Sequence, residues 1–329
     1  MKNTLKSIAA AITCVAFFLS IAPRAMADAP PPSVDDLGQK PAGELSLKDR
    51  LDVLAEKADP ANRREGGLFK NDQWLDRLID WDKLDKKEKV VIVNVAAIAL
   101  VTIWGFASWD YGSAKMNFKN EGWFGHDTKY GGADKMGHLW STYAFGDLLG
   151  YLYGSWGYDH EKAAQLSALS SWIFMGMMEV LDASSASHGF SYEDMTMNTI
   201  GALASYLFQT YPELDRKFDL RSEYKPKTWR GDIITDYEQL KYIAVLKLSG
   251  FDMVKDTFMK YFEIHVGYYT RGFDYKPKHE DRTRNVYAGI GVNIPLLMGE
   301  AGLKKTAKVF EYIQIPFTSY EVGARSLGK

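Results

Sequence analysis

The chain has 329 residues, of which 40 are Lys or Arg and 42 are Asp or Glu, and its formal net charge is -2. A chain of this length can bury a sizeable core in one large domain or two. Because the charge is balanced and no long basic run alternates with aromatic residues, the composition provides no field that would follow a phosphate backbone. Nucleic acid is therefore excluded as an expected partner.

The first 27 residues have the pattern of a secretory signal peptide. Two lysines precede an apolar run from Ile8 to Ile21, and Ala25-Met26-Ala27 forms a small-x-small cleavage site. We predict export and a mature chain that begins at Asp28; the alternative is an uncleaved N-terminal anchor. The single cysteine, Cys14, would be lost on cleavage, which excludes disulfides, thiolate catalysis and cysteine metal ligands from the mature protein.

The apolar segment Val90–Trp109 is the one convincing membrane-spanning candidate. Residues 28–88 before it combine a Pro- and Gly-rich tether with a short amphipathic helix at Ser46–Lys57. Val90–Trp109 carries no charge and is long enough to cross a hydrocarbon core of roughly 30 Å. A fully buried core helix is the alternative, and we favour the membrane because a buried helix seldom stays apolar on every side for that length.

Three further helices are predicted at Lys135–Trp156, His160–Ala183 and Glu193–Tyr211. Asp159 is a natural N-cap for the second, and Ser191 with an acidic residue three positions later resembles a capping box for the third. Small residues recur along these helices, which lets their backbones approach closely. We therefore expect the three helices to pack together, with the apolar segment as a fourth member.

The composition changes after Tyr211, where we place a boundary. Asp236–Leu248 has the pattern of a short amphipathic helix, Tyr261–Tyr269 and Asn285–Ile294 alternate as strands do, and Val309–Phe317 is a weaker third strand. The prediction is a mainly α fold, α+β overall, with a membrane-associated four-helix core followed by a small antiparallel β-region. Its divisions are a signal peptide (1–27), a tether with a short helix (28–88), the helical core (89–211) and the C-terminal region (212–329).

Six polar residues interrupt the three predicted helices in pairs. Each pair is spaced three or four residues apart, so both members project from one face of a helix and the three faces could surround a single cavity. Ionisable groups in apolar helices are costly unless they pair, bind an ion or line a polar cavity. The candidate site consists of Asp134, His138, Glu179, Asp182, Asp194 and Asn198.

Two explanations of this cluster stay open. One is a divalent-cation site, with zinc, manganese or magnesium bound by His138, Glu179, Asp182 and Asp194, or a pair of carboxylates that exchanges protons. The other, which we favour, is an interhelical hydrogen-bonded network without chemistry, in which Asp134 caps its helix and Asn198 bonds to Glu179. His188 either reaches the same cavity or is an ordinary loop histidine.

Three motifs carry a family resemblance: DKMGH at 134–138, MEVLDA at 178–183 and FSYEDMTMNTIGA at 190–202. Together they resemble the YfiM-like family of predicted periplasmic lipoproteins of unknown function and, more distantly, VanZ-like membrane proteins. The chain departs from these families in having no lipidated cysteine, and in having His188 near the position where VanZ-like proteins tend to have Arg. The resemblance implies a functional set of Asp134, Lys135, His138, Glu179, Asp182, Ser191, Asp194, Asn198 and Gly201.

Two hypotheses of function follow. The first is a non-enzymatic cell-envelope protein with a structural role, or one that binds membrane lipid or an envelope protein partner. The second is a divalent-cation-dependent or acid/base enzyme that acts on a lipid-linked or glycan envelope substrate. For location we favour the inner membrane with periplasmic regions over the outer membrane, although Lys86, Lys87 and Lys89 would then precede the first span on the exported side, against the positive-inside rule.

Overall fold

A computed structural model describes residues 84–225, 235–273 and 282–327. The signal peptide, the tether, the helix predicted at Ser46–Lys57 and His279 lie outside these residues. From Lys86 onward the described residues form one compact unit, in which helices precede a sheet.

Four long helices make up the first half of the unit: α1 at Lys86–Ser108, α2 at Ala133–Ser155, α3 at His160–Asp182 and α4 at Tyr192–Thr210. The predicted helices are confirmed to within a few residues at each end. Both predicted caps are also confirmed, because Asp159 accepts a hydrogen bond from the Lys162 amide (2.9 Å) and Ser191 Oγ accepts one from the Asp194 amide (3.1 Å). Helices α2, α3 and α4 pack against one another, and α1 packs against α3.

The expectation of a membrane-associated four-helix core is wrong. Among the described residues, α1 is the one helix whose length and composition would allow it to cross a membrane, over Lys86–Phe106. Helices α2 to α4 carry too many polar and charged side chains on the faces that they turn toward one another. Asn94 of α1 is tied into the same unit, since its Nδ2 donates to the Tyr153 hydroxyl at 2.8 Å.

The second half of the unit is a curled six-stranded mixed sheet and not a small antiparallel region. Its strands lie in the order β7-β3-β4-β5-β6-β8, and all neighbours are antiparallel except β3 and β7. The main strands are β3 (Phe218–Tyr224), β4 (Leu240–Lys247), β5 (Phe262–Arg271), β6 (Thr283–Val292), β7 (Ile313–Gln314) and β8 (Ser319–Ser326). Short elements complete the chain: β1 at Phe118–Lys119, β2 at Phe190–Ser191, α5 at Pro212–Lys217, α6 at Ile294–Glu300, α7 at Lys304–Val309 and 3₁₀ turns at Leu248–Gly250 and Phe258–Tyr261.

The curl of the sheet follows from its connectivity. Strands β7 and β8 are neighbours in the chain, yet β7 pairs with β3 and β8 pairs with β6, and β4 and β5 lie between those two partners. One short segment can reach both edges only if the sheet bends until the edges approach each other. The sheet therefore has an enclosed inner face and a convex outer face.

Two of the predicted C-terminal elements are wrong in kind or in extent. The segment predicted as a helix at Asp236–Leu248 contains β4, whose side chains are covered on both faces by Tyr242 against α2 and by Val245 within the sheet. Contacts on both faces override the local preference of its Leu, Ala and Lys residues for a helix. The third predicted strand shrinks to Ile313–Gln314, because residues before it form α7.

Helix α2 joins the two halves. Its first residue, Ala133, packs with Leu240 and Tyr242 of β4 in one hydrophobic cluster, and the Tyr268 hydroxyl donates to the Gly131 carbonyl. This contact fixes the start of α2 against the sheet. The residues of the first two turns of α2 are thereby held at the centre of the helical layer.

Candidate functional site

The site begins at a turn that only glycine permits. Gly132 is the N-cap of α2 and has φ 89°, a left-handed conformation that is strained for other residues. A side chain at Gly132 would also meet the Phe124 ring at 2.3 Å. The loop can therefore turn directly into α2, which places Asp134, Lys135 and His138 on its first turns.

Lys135 lies at the centre of a group of carboxylates. Its ammonium contacts Glu121 at 2.7 Å, Asp134 at 2.9 Å and Asp194 at 2.9 Å, and the side chain is only 1% exposed. Burial alone would lower the pKa of Lys135, but the three carboxylates outweigh burial and raise it. Lys135 is therefore a fixed positive charge in this part of the helical layer.

His138 lies one turn further along α2, between two other carboxylates. Its Nδ1 is 3.6 Å from Glu179 Oε1, and its Nε2 is 3.8 Å from Asp194 Oδ1. Burial acts to lower the pKa of His138, and Asp194 and Glu179 together raise it. Asn198 Oδ1 accepts a hydrogen bond from Nδ1 at 3.1 Å, which orients the ring and leaves Nε2 on the side of Asp194.

Close approach of α2 and α4 makes the contact between His138 and Asn198 possible. A side chain at Gly201 would come within 2.3 Å of the Leu139 carbonyl oxygen. Glycine at this position therefore allows the two backbones to touch. Thr142 completes the junction, because its hydroxyl lies 3.0 Å from Asn198 Oδ1.

Glu179 comes from the last turns of α3 and is the most deeply buried carboxylate of the group. Its Oε2 accepts a hydrogen bond from the Ser191 amide at 3.2 Å, while its Oε1 has no hydrogen-bond partner although the residue is only 1% exposed. Burial raises the pKa of Glu179 to about 8. By contrast, His138 and Lys135 overcome the effect of burial at Asp194 and hold its pKa below the usual value.

Two overlapping trios of potential cation ligands result. One atom each from His138, Glu179 and Asp194 lies within 4.8 Å of the others, and the same holds for Glu121, Asp134 and Asp194. The second trio already surrounds the Lys135 ammonium. The first trio contains no cation of its own other than a protonated imidazole, and it includes the unpaired Glu179 Oε1.

The geometry of the first trio is close to what one ion requires. Two ligands at about 2.1 Å from a tetrahedral ion are about 3.4 Å apart, so atoms within 4.8 Å of one another need to move by about 1 Å or less. Four carboxylates also face only two cationic side chains here. The cluster thus has an excess of negative charge even when His138 is protonated.

The structure separates the six residues predicted as a site. It brings together His138, Glu179, Asp194 and Asn198, whereas Asp134 contacts Lys135, and Asp182 is not among the converging ligands of the described residues. Burial raises the pKa of Asp182 to about 6. Asn198 bonds to His138 and not to Glu179, as the network hypothesis suggested.

His188 has local partners. Its Nδ1 lies 3.2 Å from the Ser185 hydroxyl and 2.9 Å from the Ser187 hydroxyl. Burial lowers its pKa. These contacts match those of a loop histidine, and they account for its ring without a role in the carboxylate cluster.

Sequence patterns missed Glu121 and Thr142. Glu121 lies in the loop before α2, where no helical spacing relates it to Lys135, although the two side chains are 2.7 Å apart. The one available signal was Lys135 itself, because a lysine in an otherwise apolar helix requires several acceptors. Thr142 follows His138 by four residues and could have been found by the same helical spacing.

Comparison with known proteins places this site inside a recognised family. Residues 120–210 match the model of the family described as "Predicted periplasmic lipoprotein (DUF2279)", a range that contains Glu121, Lys135 and all six predicted site residues. The match supports an exported, envelope-associated protein. Comparison with curated proteins and with solved structures gives no match. The more specific YfiM-like and VanZ-like assignments stay predictions.

Proposed function

We propose that this envelope protein binds a divalent cation between α2, α3 and α4, through His138, Glu179 and Asp194. The observation that carries the proposal is Glu179 Oε1, a carboxylate oxygen in a 1% exposed side chain that has no hydrogen-bond partner and faces an imidazole and a second carboxylate. A buried acceptor of this kind costs free energy unless a proton or a cation satisfies it.

The donor set suits zinc or manganese better than calcium. One imidazole with two carboxylates is a common combination for these ions, whereas calcium requires six or more oxygen ligands. Asn198 would hold the imidazole in place from the second ring nitrogen, and the Ser191 amide would orient Glu179 in the same way. With its ion, the site would tie three helices together and support a structural or partner-binding role in the envelope.

Acid/base chemistry at the same residues is the second candidate. It is favoured by the position of the His138 ring between two carboxylates, at 3.6 Å and 3.8 Å, an arrangement in which protons can pass between neighbouring groups. The imidazole is 14% exposed, so a lipid-linked or glycan substrate would meet His138 before Glu179. This candidate requires turnover, which the cation-binding proposal does not.

The test is metal analysis of the purified protein, followed by thermal unfolding of the metal-free chain with added zinc or manganese. We expect about one equivalent of metal and a higher Tm on its addition, because a ligand that binds only the folded state stabilises it. Glu179→Gln and His138→Ala should both lose this response. Asp147→Asn, which alters a buried carboxylate elsewhere in the same bundle, should keep it.

Absence of both bound metal and a metal-dependent Tm in the unaltered protein would disprove the cation site. If Glu179→Gln then folds with unchanged or higher stability, the hydrogen-bonded network without chemistry is the better explanation. Turnover of a glycan or lipid-linked substrate that is lost in His138→Ala, without any metal dependence, would favour the acid/base candidate.

A further inference from the structure

The inner face of the curled sheet is charged and sealed from solvent. Arg221 of β3 donates from Nη1 and Nη2 to the two carboxylate oxygens of Glu263, both at 2.8 Å, and from Nε to Asp219 at 3.1 Å. Lys247 contacts the other oxygen of Asp219 at 2.5 Å. His265 is buried beside Glu263. Two carboxylates and two cations balance here, so the enclosed face is polar but electrically neutral.

The outer face of the same strands is apolar. Ile264, Ile290 and Tyr320 are cross-strand neighbours that form one row over β5, β6 and β8, and Tyr320 is 76% exposed. Val266 and Val286 extend the row along the outer face, and both are exposed. A sheet that faces water on one side normally alternates in the opposite sense, with polar side chains outward. The medium that fits this outer face is apolar.

The row continues onto one rim of the sheet. The Phe258 ring lies 6.2 Å from the Phe262 ring, which is two residues before Ile264 on the same face. Val292, the partner of Phe262, donates its amide hydrogen to the Thr318 carbonyl. The turn before Thr318 presents Phe317 with 83% of its surface exposed and φ 69°. We call the row and this rim the outer strip.

Lysines border the outer strip on its rim. Lys225 lies 4.1 Å from the centre of the Phe317 ring, and Lys260 lies 4.8 Å from that of Tyr261. Lys304 and Lys305 follow the exposed Leu303, and neither has an acidic partner among the described residues. Aromatic residues next to lysines are typical of protein surfaces at the level of lipid headgroups, where the ring enters the apolar layer and the ammonium meets phosphate.

We propose that the outer strip docks on the surface of an anionic lipid bilayer. Phe258, Phe317 and Tyr320 enter the upper acyl region, and the bordering lysines contact anionic headgroups. Three observations carry this assignment: the reversed polarity of the sheet, the continuity of the apolar row with its aromatic rim, and the positive charge beside that rim. The surface lies outside the family match and does not depend on the cation site.

The experiment uses environment-sensitive labels on the mature chain, residues 28–329. Because Cys14 lies before residue 28, an introduced cysteine is the sole thiol. Phe317→Cys and Phe258→Cys would each be labelled with the fluorophore NBD, with Thr128→Cys in the helical half as the matched control. Labels report their own surroundings, so lipid contact made by α1 does not obscure the result.

With phosphatidylglycerol vesicles we expect a blue shift at positions 317 and 258, several-fold stronger quenching there by nitroxide lipids, and neither effect at position 128. Charge reversal by Lys304→Glu with Lys305→Glu should weaken vesicle binding of the labelled rim by about tenfold, as loss of two headgroup contacts requires. Unchanged circular dichroism would show that these variants fold.

Labels at positions 317 and 258 that stay unshifted and unquenched with vesicles would overturn the proposal. A blue shift that appears without vesicles and grows with protein concentration would also overturn it, because the strip would then be covered by a second copy of the chain. Equal response to phosphatidylcholine vesicles would contradict the role of the lysines.

Discussion

Replacement of Lys135 by methionine tests whether the carboxylates around it depend on its charge. The substitution keeps much of the apolar stem but removes an ammonium that contacts Glu121, Asp134 and Asp194 within 2.9 Å. Removal of one partner from a buried ion pair costs about 3–5 kcal/mol, because it leaves uncompensated charge in a poorly solvated place. We expect Lys135→Met to lose at least that much free energy of unfolding.

The measurement is urea unfolding near neutral pH. The raised pKa of Lys135 keeps the ammonium charged in the folded and the unfolded chain under these conditions, so the difference reports lost ion pairs and not titration. The matched control is Lys255→Met, which removes an exposed ion pair with Asp252 and should cost less than about 1 kcal/mol.

A second outcome is specific to this site. Without the ammonium, Glu121, Asp134 and Asp194 still place three carboxylate oxygens within 4.8 Å of one another, a set suited to hard cations such as calcium or magnesium. Millimolar calcium should therefore restore part of the stability of Lys135→Met and have little effect on the parent chain. A loss below about 1 kcal/mol, or no response to calcium in a destabilised variant, would refute this account of the cluster.

Three further predictions concern the helical layer. Burial raises the pKa of Asp147 to about 7, so the folded chain keeps a proton that the unfolded chain releases near pH 4; stability should fall between these values, and Asp147→Asn should gain up to about 4 kcal/mol near pH 8 and nothing at pH 4, as urea titrations would show. Gly201→Ala should lower the Tm because its methyl group meets the Leu139 carbonyl, whereas Gly154→Ala, where a methyl group meets nothing within 4 Å, should not. Ser191→Ala removes the cap of α4 and should cost about 1 kcal/mol in chemical unfolding, and an unchanged midpoint would contradict the capping role.

The helices were predictable because their signals are local. Asp159 and Ser191 mark two helix starts by capping chemistry, and an apolar pattern of helical period follows each of them. The same period placed His138, Glu179 and Asp194 on helix faces. That three of these faces meet was only one possibility in the sequence, because the distances between helices depend on contacts such as Gly201 against Leu139.

The sheet was predicted poorly because its signals are not local. Strand β3 alternates Asp219, Arg221 and Glu223 with less polar residues, so its charged side chains resemble a solvated loop. They are buried because Glu263 and Lys247, which come from other strands, neutralise Arg221 and Asp219. No window of the sequence contains these partners together.

The sequence by itself determined where the long helices begin and end, which side chains share a helix face, and that the chain carries an export signal pattern. These properties depend on periodicity, capping and composition, which act within a few residues. Only the tertiary structure decided that Lys135 occupies one carboxylate trio while Glu179 is left with an unpaired oxygen in the other. It also decided that the sheet turns its charges inward and its apolar row outward, because strand order and curl depend on pairing between residues far apart in the chain.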